Sequence, residues 1–368
     1  MGTQRAKDAG RDEEHMQTFF NAIGDIHEDG WIEVVDLLDL FQRLALDMST
    51  SFLLGMSADL QAAGIRDAAE KGEAHLAVGT GMTYNEAYET IRTYLSWRSK
   101  LGSLYWMADS AQFADALIAQ AVARASAAYI DDQETADGKF RLIDNLVRDV
   151  GDPVEIRNIV LDLFIAGQNM TGTMAAWVFA QLGHHPEIFQ RVRAEVLERF
   201  GAEDEQKEPI TWDNLKACTT MQHDILESLR MYPLLANIGR NAKVDSVLPK
   251  GGGQDGQQPV AVPKGATVTC NVYLMHRGVE AWGADAWEFR PDRWVGRKLG
   301  PEYAPFGGGP RVCIGQQLTI TEISLLIVRM MQRFSEIRAP EGQDDLAKGY
   351  RAVLAPKNGV KVRLRRAS

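Results

Sequence analysis

Apolar residues recur at helical spacing along most of the chain. Over residues 36–54 they return every three or four positions, with Asp36 placed as an N-terminal cap and Gly55 as a stop. A similar pattern over Ile159–Leu182 contains interior polar residues, which favours a long buried helix that lines a cavity. The same spacing predicts further helices over Tyr84–Arg98, Gln112–Tyr129, Phe140–Val150, Pro186–Phe200, Thr211–Met231 and Gln316–Phe334.

Strand patterns are few and come late in the chain. We predict strands over Val260–Val262 and Thr267–Val272, on either side of a Pro-Lys-Gly turn. The glycine-rich run Gly251–Gln258 before them is predicted to be a hairpin tip. Many helices with few strands predict a mainly α fold with a small β part. Because no repeat and no linker divides the sequence, we expect residues 1–368 to form a single domain.

Composition and charge narrow the possible functions. The 368 residues are 45% hydrophobic and 24% charged, an ordinary globular balance. A net charge of -10 gives no overall attraction to nucleic acid, so nucleic acid is not expected as a partner. No run reaches the roughly 18 apolar residues of a membrane span, so no transmembrane segment is expected. The three scattered cysteines favour a reducing compartment over a disulfide framework.

The segment Phe306–Gly315 carries the clearest chemical signal. Its consecutive glycines allow positive φ angles and a tight curl, and it presents Cys313 just before the predicted helix over 316–334. Unpaired N–H groups at a helix N-terminus favour a thiolate over a thiol. Gly315 leaves room for a flat macrocycle, and Arg311 offers a fixed charge to a carboxylate at its rim. The alternative is a buried structural cysteine beside a glycine turn.

The arrangement of Phe306, Gly309, Arg311, Cys313 and Gly315 resembles the haem-binding signature of the cytochrome P450 family, the haem-thiolate monooxygenases. The resemblance implies that haem is the cofactor and that Cys313 is the axial thiolate ligand of its iron. It also implies that the other four residues help to bind the cofactor, with Phe306 packed beside the sulfur. In this family the thiolate donates electron density to the iron and so favours O–O cleavage.

Glu227 and Arg230 stand three residues apart on a predicted helix, where they can pair. Such pairs are common on solvated surfaces, so the spacing alone carries little weight. The stretch Phe289–Trp294, however, resembles the family's meander motif, whose arginine joins the helix pair in a buried cluster. The resemblance implies a structural ion cluster of Glu227, Arg230 and Arg293 that holds the cysteine loop. Trp294 stands where the family has phenylalanine.

The segment Ala166–Thr171 resembles the part of the family's distal helix that accepts O₂ and relays protons. Most relatives have an acidic residue and then a threonine where this chain has Asn169 and Met170. Asparagine cannot titrate and methionine cannot donate a hydrogen bond, so the usual proton route is altered. We assign the catalytic positions to Gly167, Asn169 and Thr171. Thr171 lies about 100° further round the helix than Met170 and Thr173 about 60° the other way, so either hydroxyl could reach in with a small rotation. The alternative is a buried packing helix.

Two further residues, Arg240 and His276, stand where the family places partners of the haem propionates. Either residue could instead have a surface or capping role. Within the family the chain resembles the fungal group that hydroxylates alkanes and fatty acids, which implies a long apolar substrate. Fungal members of similar sequence also act on secondary metabolites. The residues that carry this narrower resemblance are Leu104–Trp106, Pro249–Gly253 with Asp255–Gly256, Trp282–Ala286 and Gly315–Gln317.

The resemblance extends from about Glu14 to Leu364 and covers the later two-thirds of the family fold. We therefore expect a cytochrome P450 fold that lacks the N-terminal anchor, the first sheet and the early helices. One of those helices carries the tryptophan and arginine that usually clasp a propionate. Either the start lies upstream of Met1 or the chain is a natural short form with weakened haem retention. We favour a truncated gene model or a degenerate copy.

The resemblance implies a haem-thiolate monooxygenase that inserts one oxygen atom from O₂ into an apolar organic substrate. Its electrons come from NADPH through cytochrome P450 reductase. Family members sit on the endoplasmic reticulum membrane, which implies the cytoplasmic side of that membrane, although this sequence has no anchor. Two alternatives stay open. With Met170 in place of threonine, the site could rearrange or dehydrate an oxygenated substrate, or the chain could be a catalytically inert remnant.

Overall fold

The structure is a computed structural model that describes residues 9–55, 57, 61–62, 119, 122–123, 141–167, 170–205, 207–340, 342, 346–350 and 353–367. The predicted helix over 84–98, most of the predicted helix over 112–129 and Asn169 lie outside the described residues. None of the helices in the described part of the chain combines the length and the apolar character that a membrane crossing needs.

Helices dominate the described residues, which confirms the predicted mainly α class. Asp36 caps a helix as predicted, since its side chain accepts a hydrogen bond from the Leu38 N–H at 3.0 Å. Gly55 ends the same helix in the left-handed conformation, with φ 68°. The helices are α1 (Ala9–Ala22), α2 (Leu37–Leu54), α3 (Leu142–Asp149), α4 (Pro153–Gly167), α5 (Met170–His184), α6 (Pro186–Phe200), α7 (Trp212–Ala217), α8 (Thr219–Met231), α9 (Val272–Met275), α10 (Val279–Trp282) and α11 (Gln316–Arg333).

The single helix predicted over Thr211–Met231 is wrong, because two helices occupy this segment. The backbone leaves the helical region at Cys218, whose ψ is 85°. Glu195 of α6 then accepts hydrogen bonds from the N–H groups of Thr220 and Met221, at 2.9 and 3.0 Å. A carboxylate on a neighbouring helix therefore caps the start of α8.

The strands form small antiparallel sheets, which confirms the small β part. They are β1 (Val35–Asp36), β2 (Asn237–Asn241), β3 (Ser246–Gly252), β4 (Gln258–Val262), β5 (Thr267–Asn271), β6 (Phe334–Arg338), β7 (Lys348–Tyr350), β8 (Leu354–Pro356) and β9 (Lys361–Arg366). The glycine-rich run closes the β3–β4 hairpin, as predicted. The strands on either side of Pro263 do not pair with each other, since β4 pairs with β3 and β5 pairs with β2. The remaining sheets are β1-β9-β6 and β7-β8.

The described residues fall into two compact units. The larger unit lies within residues 1–225 and 315–368 and contains α1–α7, α11, β1 and β6–β9. The smaller unit spans residues 226–314 and contains β2–β5, α9, α10 and two 3₁₀ turns, and the boundary falls inside α8. Those turns are Pro291–Trp294 and Gly309–Arg311. The single-domain organisation of residues 1–368 stays a prediction.

The core of the larger unit is built around α5, which is buried from Gly172 to Gly183. Helix α2 crosses it at Gly172, where an added Cβ would lie 2.6 Å from the carbonyl oxygen of Phe41 and 2.8 Å from backbone atoms of Gln42. Only glycine allows the two backbones to approach this closely. This crossing holds the segment that carries the predicted distal residues.

Candidate functional site

The cysteine loop lies within the smaller unit and curls back on itself. The N–H of Cys313 donates a hydrogen bond to the carbonyl oxygen of Phe306 at 3.0 Å. Gly307 and Gly309 have φ angles of 74° and 70°, which confirms the predicted use of positive φ, while Gly308 is extended. The glycines therefore make a tight bend that brings the chain from Phe306 back to Cys313.

The bend leaves the thiol of Cys313 exposed. Its neighbours Val312 and Ile314 are also exposed, by 44% and 86%, so the thiol stands on an apolar surface. A Cβ added at Gly308 or Gly309 would meet no described heavy atom within 4 Å. The alternative of a buried structural cysteine is wrong for Cys313. It fits Cys218 instead, where burial raises the pKa of the thiol to about 11.

A basic cavity lies in the same unit. It has a volume of about 550 Å³ and is lined by Gly239, Arg240, Asn241, Lys243 and Arg311. Three of these five residues are cationic and none is acidic, so the cavity suits an anionic group. The structure thus brings together Arg240 and Arg311, two predicted cofactor residues, and adds Lys243. Lys243 lies in a bend after β2, and it belongs to no sequence motif that would have predicted it as a cofactor-binding residue.

The structure brings Glu227, Arg230 and Arg293 together in a buried ion cluster. Arg230 donates to both carboxylate oxygens of Glu227, with Nε to Oε2 at 2.9 Å and Nη2 to Oε1 at 2.8 Å. Arg293 Nε donates to Oε1 at 3.0 Å. The side chains of Glu227 and Arg230 are fully buried and that of Arg293 nearly so. Two guanidinium groups therefore satisfy one buried carboxylate.

Two residues join this cluster that sequence reasoning did not assign to it. Trp294 Nε1 donates to Glu227 Oε2 at 3.0 Å, a bond that phenylalanine cannot make. Asp285 Oδ1 lies 3.2 Å from Arg293 Nη1, and its Oδ2 lies 2.8 Å from Arg290 Nη2. The hydrogen bond from Arg293 lowers the pKa of the Asp285 carboxyl. In the sequence, one feature pointed to these contacts: a tryptophan stands at position 294, where the family has phenylalanine.

Hydrogen bonds connect the ion cluster to the cysteine loop within the smaller unit. Arg230 Nη1 donates to the carbonyl oxygen of His276 at 2.7 Å. The ring of His276 then accepts a hydrogen bond from the Ala304 N–H at 2.9 Å, two residues before Phe306. Tyr303, the neighbour of Ala304, donates to the Leu226 carbonyl oxygen at 3.0 Å. The segment that leads into the loop is thereby fixed to buried groups.

This placement of His276 contradicts its predicted role as a propionate partner. The ring is fully buried, its Nδ1 lies 3.1 Å from the carbonyl oxygen of Arg230, and its Nε2 accepts from Ala304. Both nitrogens are engaged by backbone groups, so neither is available to a carboxylate. Burial lowers the pKa of His276 to about 4, and the ring is therefore neutral near pH 7.

The described distal residues lie in the larger unit. Gly167 is the last residue of α4 and is half-buried. Thr171 lies in the first turn of α5, and its Oγ1 is 3.3 Å from Glu322 Oε2 and 3.4 Å from Thr319 Oγ1, both on α11. The hydroxyl of Thr171 is therefore bound to a carboxylate that the sequence did not connect with it.

The donors in the smaller unit fit a haem group. Among the described residues no three His, Cys, Asp or Glu side chains converge on a metal position. A cysteine thiolate can bind an iron that a macrocycle already carries, and Cys313 offers such a thiol. The exposed thiol on its apolar surface suits the flat ring, and the cations of the basic cavity suit carboxylate side chains of that ring.

Comparison with known proteins agrees with this chemistry. The profile of the family described as Cytochrome P450 matches residues 13–364. The chain is 32% identical to cytochrome P450 monooxygenase g430 of a Fusarium species, over 98% of this chain and 64% of that protein. It is 36% identical to cytochrome P450 monooxygenase alt2 of Alternaria solani and 33% identical to cytochrome P450 52A1 of Candida tropicalis. These matches cover 90% and 89% of this chain, and 64% and 60% of the relatives.

The chain therefore spans about three-fifths to two-thirds of the length of these relatives. Among solved structures, the haem domain of cytochrome P450DA superposes with a TM-score of 0.76, over 100% of this chain and 74% of that one. Its sequence identity of 20% supports a shared fold only. The match of the family profile over nearly the whole chain and the identities above 30% establish the relationship: the chain belongs to the cytochrome P450 family, whose cofactor is haem.

Proposed function

We propose that this chain is the haem-binding part of a monooxygenase that inserts one oxygen atom from O₂ into an apolar organic substrate. The observation that carries the proposal is the exposed thiol of Cys313 at the end of a tight glycine bend. Exposure on an apolar surface does not stabilise a structural cysteine, whereas a thiolate that binds the metal of a cofactor has to be accessible to that cofactor. When bound, haem supplies the activation of O₂.

The residues of the smaller unit have separate tasks in this proposal. Cys313 would hold the iron, and Arg240, Lys243 and Arg311 of the basic cavity would neutralise the carboxylates of the ring. The ion cluster of Glu227 with its arginines holds the segment before the loop, so that the thiol keeps one position. Positioning of this kind supports catalysis because the reacting groups need no rearrangement when the substrate arrives.

The proposal extends to partners and location. Electrons come from NADPH through cytochrome P450 reductase, at the cytoplasmic side of the endoplasmic reticulum membrane. The substrate is an alkane-like or fatty-acid chain or a fungal secondary metabolite. The support for this substrate class is the resemblance of Trp282–Ala286 and Pro249–Gly253 to the fungal alkane and fatty-acid hydroxylases.

Labelled oxygen tests this function against a rearrangement or dehydration. The haem-loaded chain, NADPH, a fungal cytochrome P450 reductase and a panel of fatty acids and alkanes are incubated under ¹⁸O₂, and products are analysed by mass spectrometry. We expect one ¹⁸O atom in the product and none when NADPH is omitted. Products that form without NADPH and carry no label would favour the rearrangement, and a loaded chain with no product from any substrate would favour the inert remnant.

A further inference from the structure

Three aromatic rings pack against one another in the smaller unit. The ring centroid of Trp294 lies 5.5 Å from that of Trp282 and 4.8 Å from that of Tyr303, and both contacts are edge to face. Tyr303 stands three residues before Phe306, whose carbonyl oxygen accepts the N–H of Cys313. Rings this close can exchange single electrons, because their π orbitals are separated by no solvent. The cluster therefore offers an electron path towards the cysteine loop.

Neighbouring charges decide which indole gives up an electron more easily. The guanidinium carbons of Arg297 and Arg230 lie 4.2 and 5.2 Å from the ring centroid of Trp282, so both repel a positive charge on that ring. Trp294 instead donates its indole N–H to Glu227 Oε2 at 3.0 Å. Arg230 also binds this carboxylate, but the carboxylate oxygen is the charged atom in contact with the indole. A negative charge at this distance favours an indole that has lost an electron.

Tyr303 is the poorer electron donor of the cluster. A phenol has to release its proton when it loses an electron, and the Tyr303 hydroxyl donates to the carbonyl oxygen of Leu226, which is not a base. Burial also raises the pKa of Tyr303 well above its usual value. The oxidation therefore does not stay on Tyr303, whose ring only bridges Trp294 and the segment that leads into the loop.

We propose that Trp294 is a redox-active residue that gives one electron to an oxidised haem and so protects the Cys313 thiolate from oxidation. The inference goes beyond the monooxygenase reaction and rests on the haem site of the proposed function. A peroxide, R–O–O–H, takes up two electrons and two protons to give R–OH and water. Trp294 replaces one of the electrons that the haem has lost and becomes a radical cation, and its N–H proton stays in the bond to Glu227. A thiol or ascorbate in solution then returns one electron to the indole.

A photochemical oxidant attached at Cys313 tests the electron path without haem. Cys270→Ser leaves Cys313 as the single exposed cysteine, and a thiol-reactive ruthenium complex is attached to it. A laser flash with an external quencher turns this complex into a one-electron oxidant. We expect the visible absorption band of a tryptophan radical, and we expect the band to be lost in Trp294→Phe. The matched control is Trp287→Phe, at a 58% exposed ring of the same unit, which should keep the band.

Peptide mass spectrometry of the haem-loaded chain, treated with hydrogen peroxide in the absence of substrate, shows where the oxidation comes to rest. We expect more oxidised indole at Trp294, which is 3% exposed, than at Trp287, which an oxidant diffusing through solvent would reach first. Trp294→Phe should increase the sulfinic and sulfonic acid found at Cys313.

Arg297→Gln tests the role of the neighbouring charges in the same experiment. The substitution removes one cation from the face of Trp282 and leaves Trp294 and Glu227 in place. We expect oxidation of Trp282 relative to Trp294 to rise by at least about fivefold, the factor that one unit charge about 4 Å away gives even in water. An unchanged ratio would overturn the charge argument, even if Trp294→Phe does not fold.

Three further results would overturn the proposal. The first is a radical band that persists unchanged in Trp294→Phe, and the second is peroxide damage that follows exposure, with Trp287 ahead of Trp294. The third is equal oxidation of Cys313 in Trp294→Phe and Trp287→Phe. If the chain takes up no haem, the proposed function fails instead, and the photochemical result alone decides whether Trp294 supplies an electron to an oxidant at Cys313.

Discussion

One carboxylate organises the smaller unit. Glu227 accepts five hydrogen bonds, two from Arg230 and one each from Arg293, Trp294 and the backbone N–H of Arg290. The three ionic members could be predicted from sequence because each stands at a fixed place in a recognisable motif. The role of Trp294 could not, because nothing in the sequence shows that its indole N–H faces Glu227.

Trp294→Phe tests this contribution of the indole. The variant keeps the ring in its buried site and leaves one lone pair of Glu227 unsatisfied, so we expect a loss of about 1–3 kcal/mol in the free energy of unfolding. Urea unfolding followed by circular dichroism measures it. Trp287→Phe is the control, since Trp287 is 58% exposed and should change stability by less than about 0.5 kcal/mol. Equal effects of the two variants would show that the bond to Glu227 contributes nothing.

His276 gives the fold a dependence on pH. Its pKa is lowered by burial from 6.5 to about 4, so the folded state disfavours the charged ring. The stability that neutral His276 contributes is fully present above pH 6.5 and is lost as the pH falls towards 4, up to about 3 kcal/mol.

Urea unfolding at pH 7 and pH 5 checks this dependence. The unfolding free energy of the unchanged chain should decrease from pH 7 to pH 5. We expect this decrease to be smaller in His276→Gln, whose amide also donates and accepts hydrogen bonds. His27→Gln should leave the fall unchanged, because His27 is exposed in the larger unit. An unchanged slope in His276→Gln would contradict the assignment.

At the scale of elements, local signals in the sequence predicted the helices well but did not predict which strands pair with each other. The start and end of α2 follow from Asp36 and Gly55, and the start of α6 follows from Pro186; each acts within a few residues of its own position. The break at Cys218 depends on the cap from Glu195 of a neighbouring helix. The short strands β1 and β9 pair across most of the chain, and strands of two and six residues carry too little pattern to predict such pairing.

The crossing of α2 and α5 gives a prediction at this scale. Gly172→Ala places a Cβ within 2.8 Å of backbone atoms of Phe41 and Gln42, which cannot move aside as a side chain can. We expect a loss of about 1–3 kcal/mol in the free energy of unfolding, measured by thermal or urea denaturation. Gly183→Ala on the same helix is the control, because its Cβ would meet nothing closer than 3.6 Å. A neutral Gly172→Ala would show that the helices do not cross this closely.

At the scale of the whole molecule, family membership could be predicted from sequence because its signature is local. Ten consecutive residues, Phe306–Gly315, contain the proposed ligand Cys313, the glycine bend and a basic side chain. Lys243 and Glu322 could not be predicted, because each acquires its place only when segments distant in sequence meet. The proposed ligand Cys313 therefore followed from the sequence, whereas the third cation of the cavity and the partner of Thr171 required the structure.

The most direct measurement is the carbon monoxide difference spectrum of the reduced, haem-loaded chain. We expect the strongly red-shifted Soret band of thiolate-ligated haem in the unchanged chain and in Cys270→Ser, a control at an exposed cysteine of the same unit. Cys313→Ser should lose this band while the protein stays folded by circular dichroism. A Soret band that persists unchanged in Cys313→Ser would contradict the ligation of haem iron by Cys313.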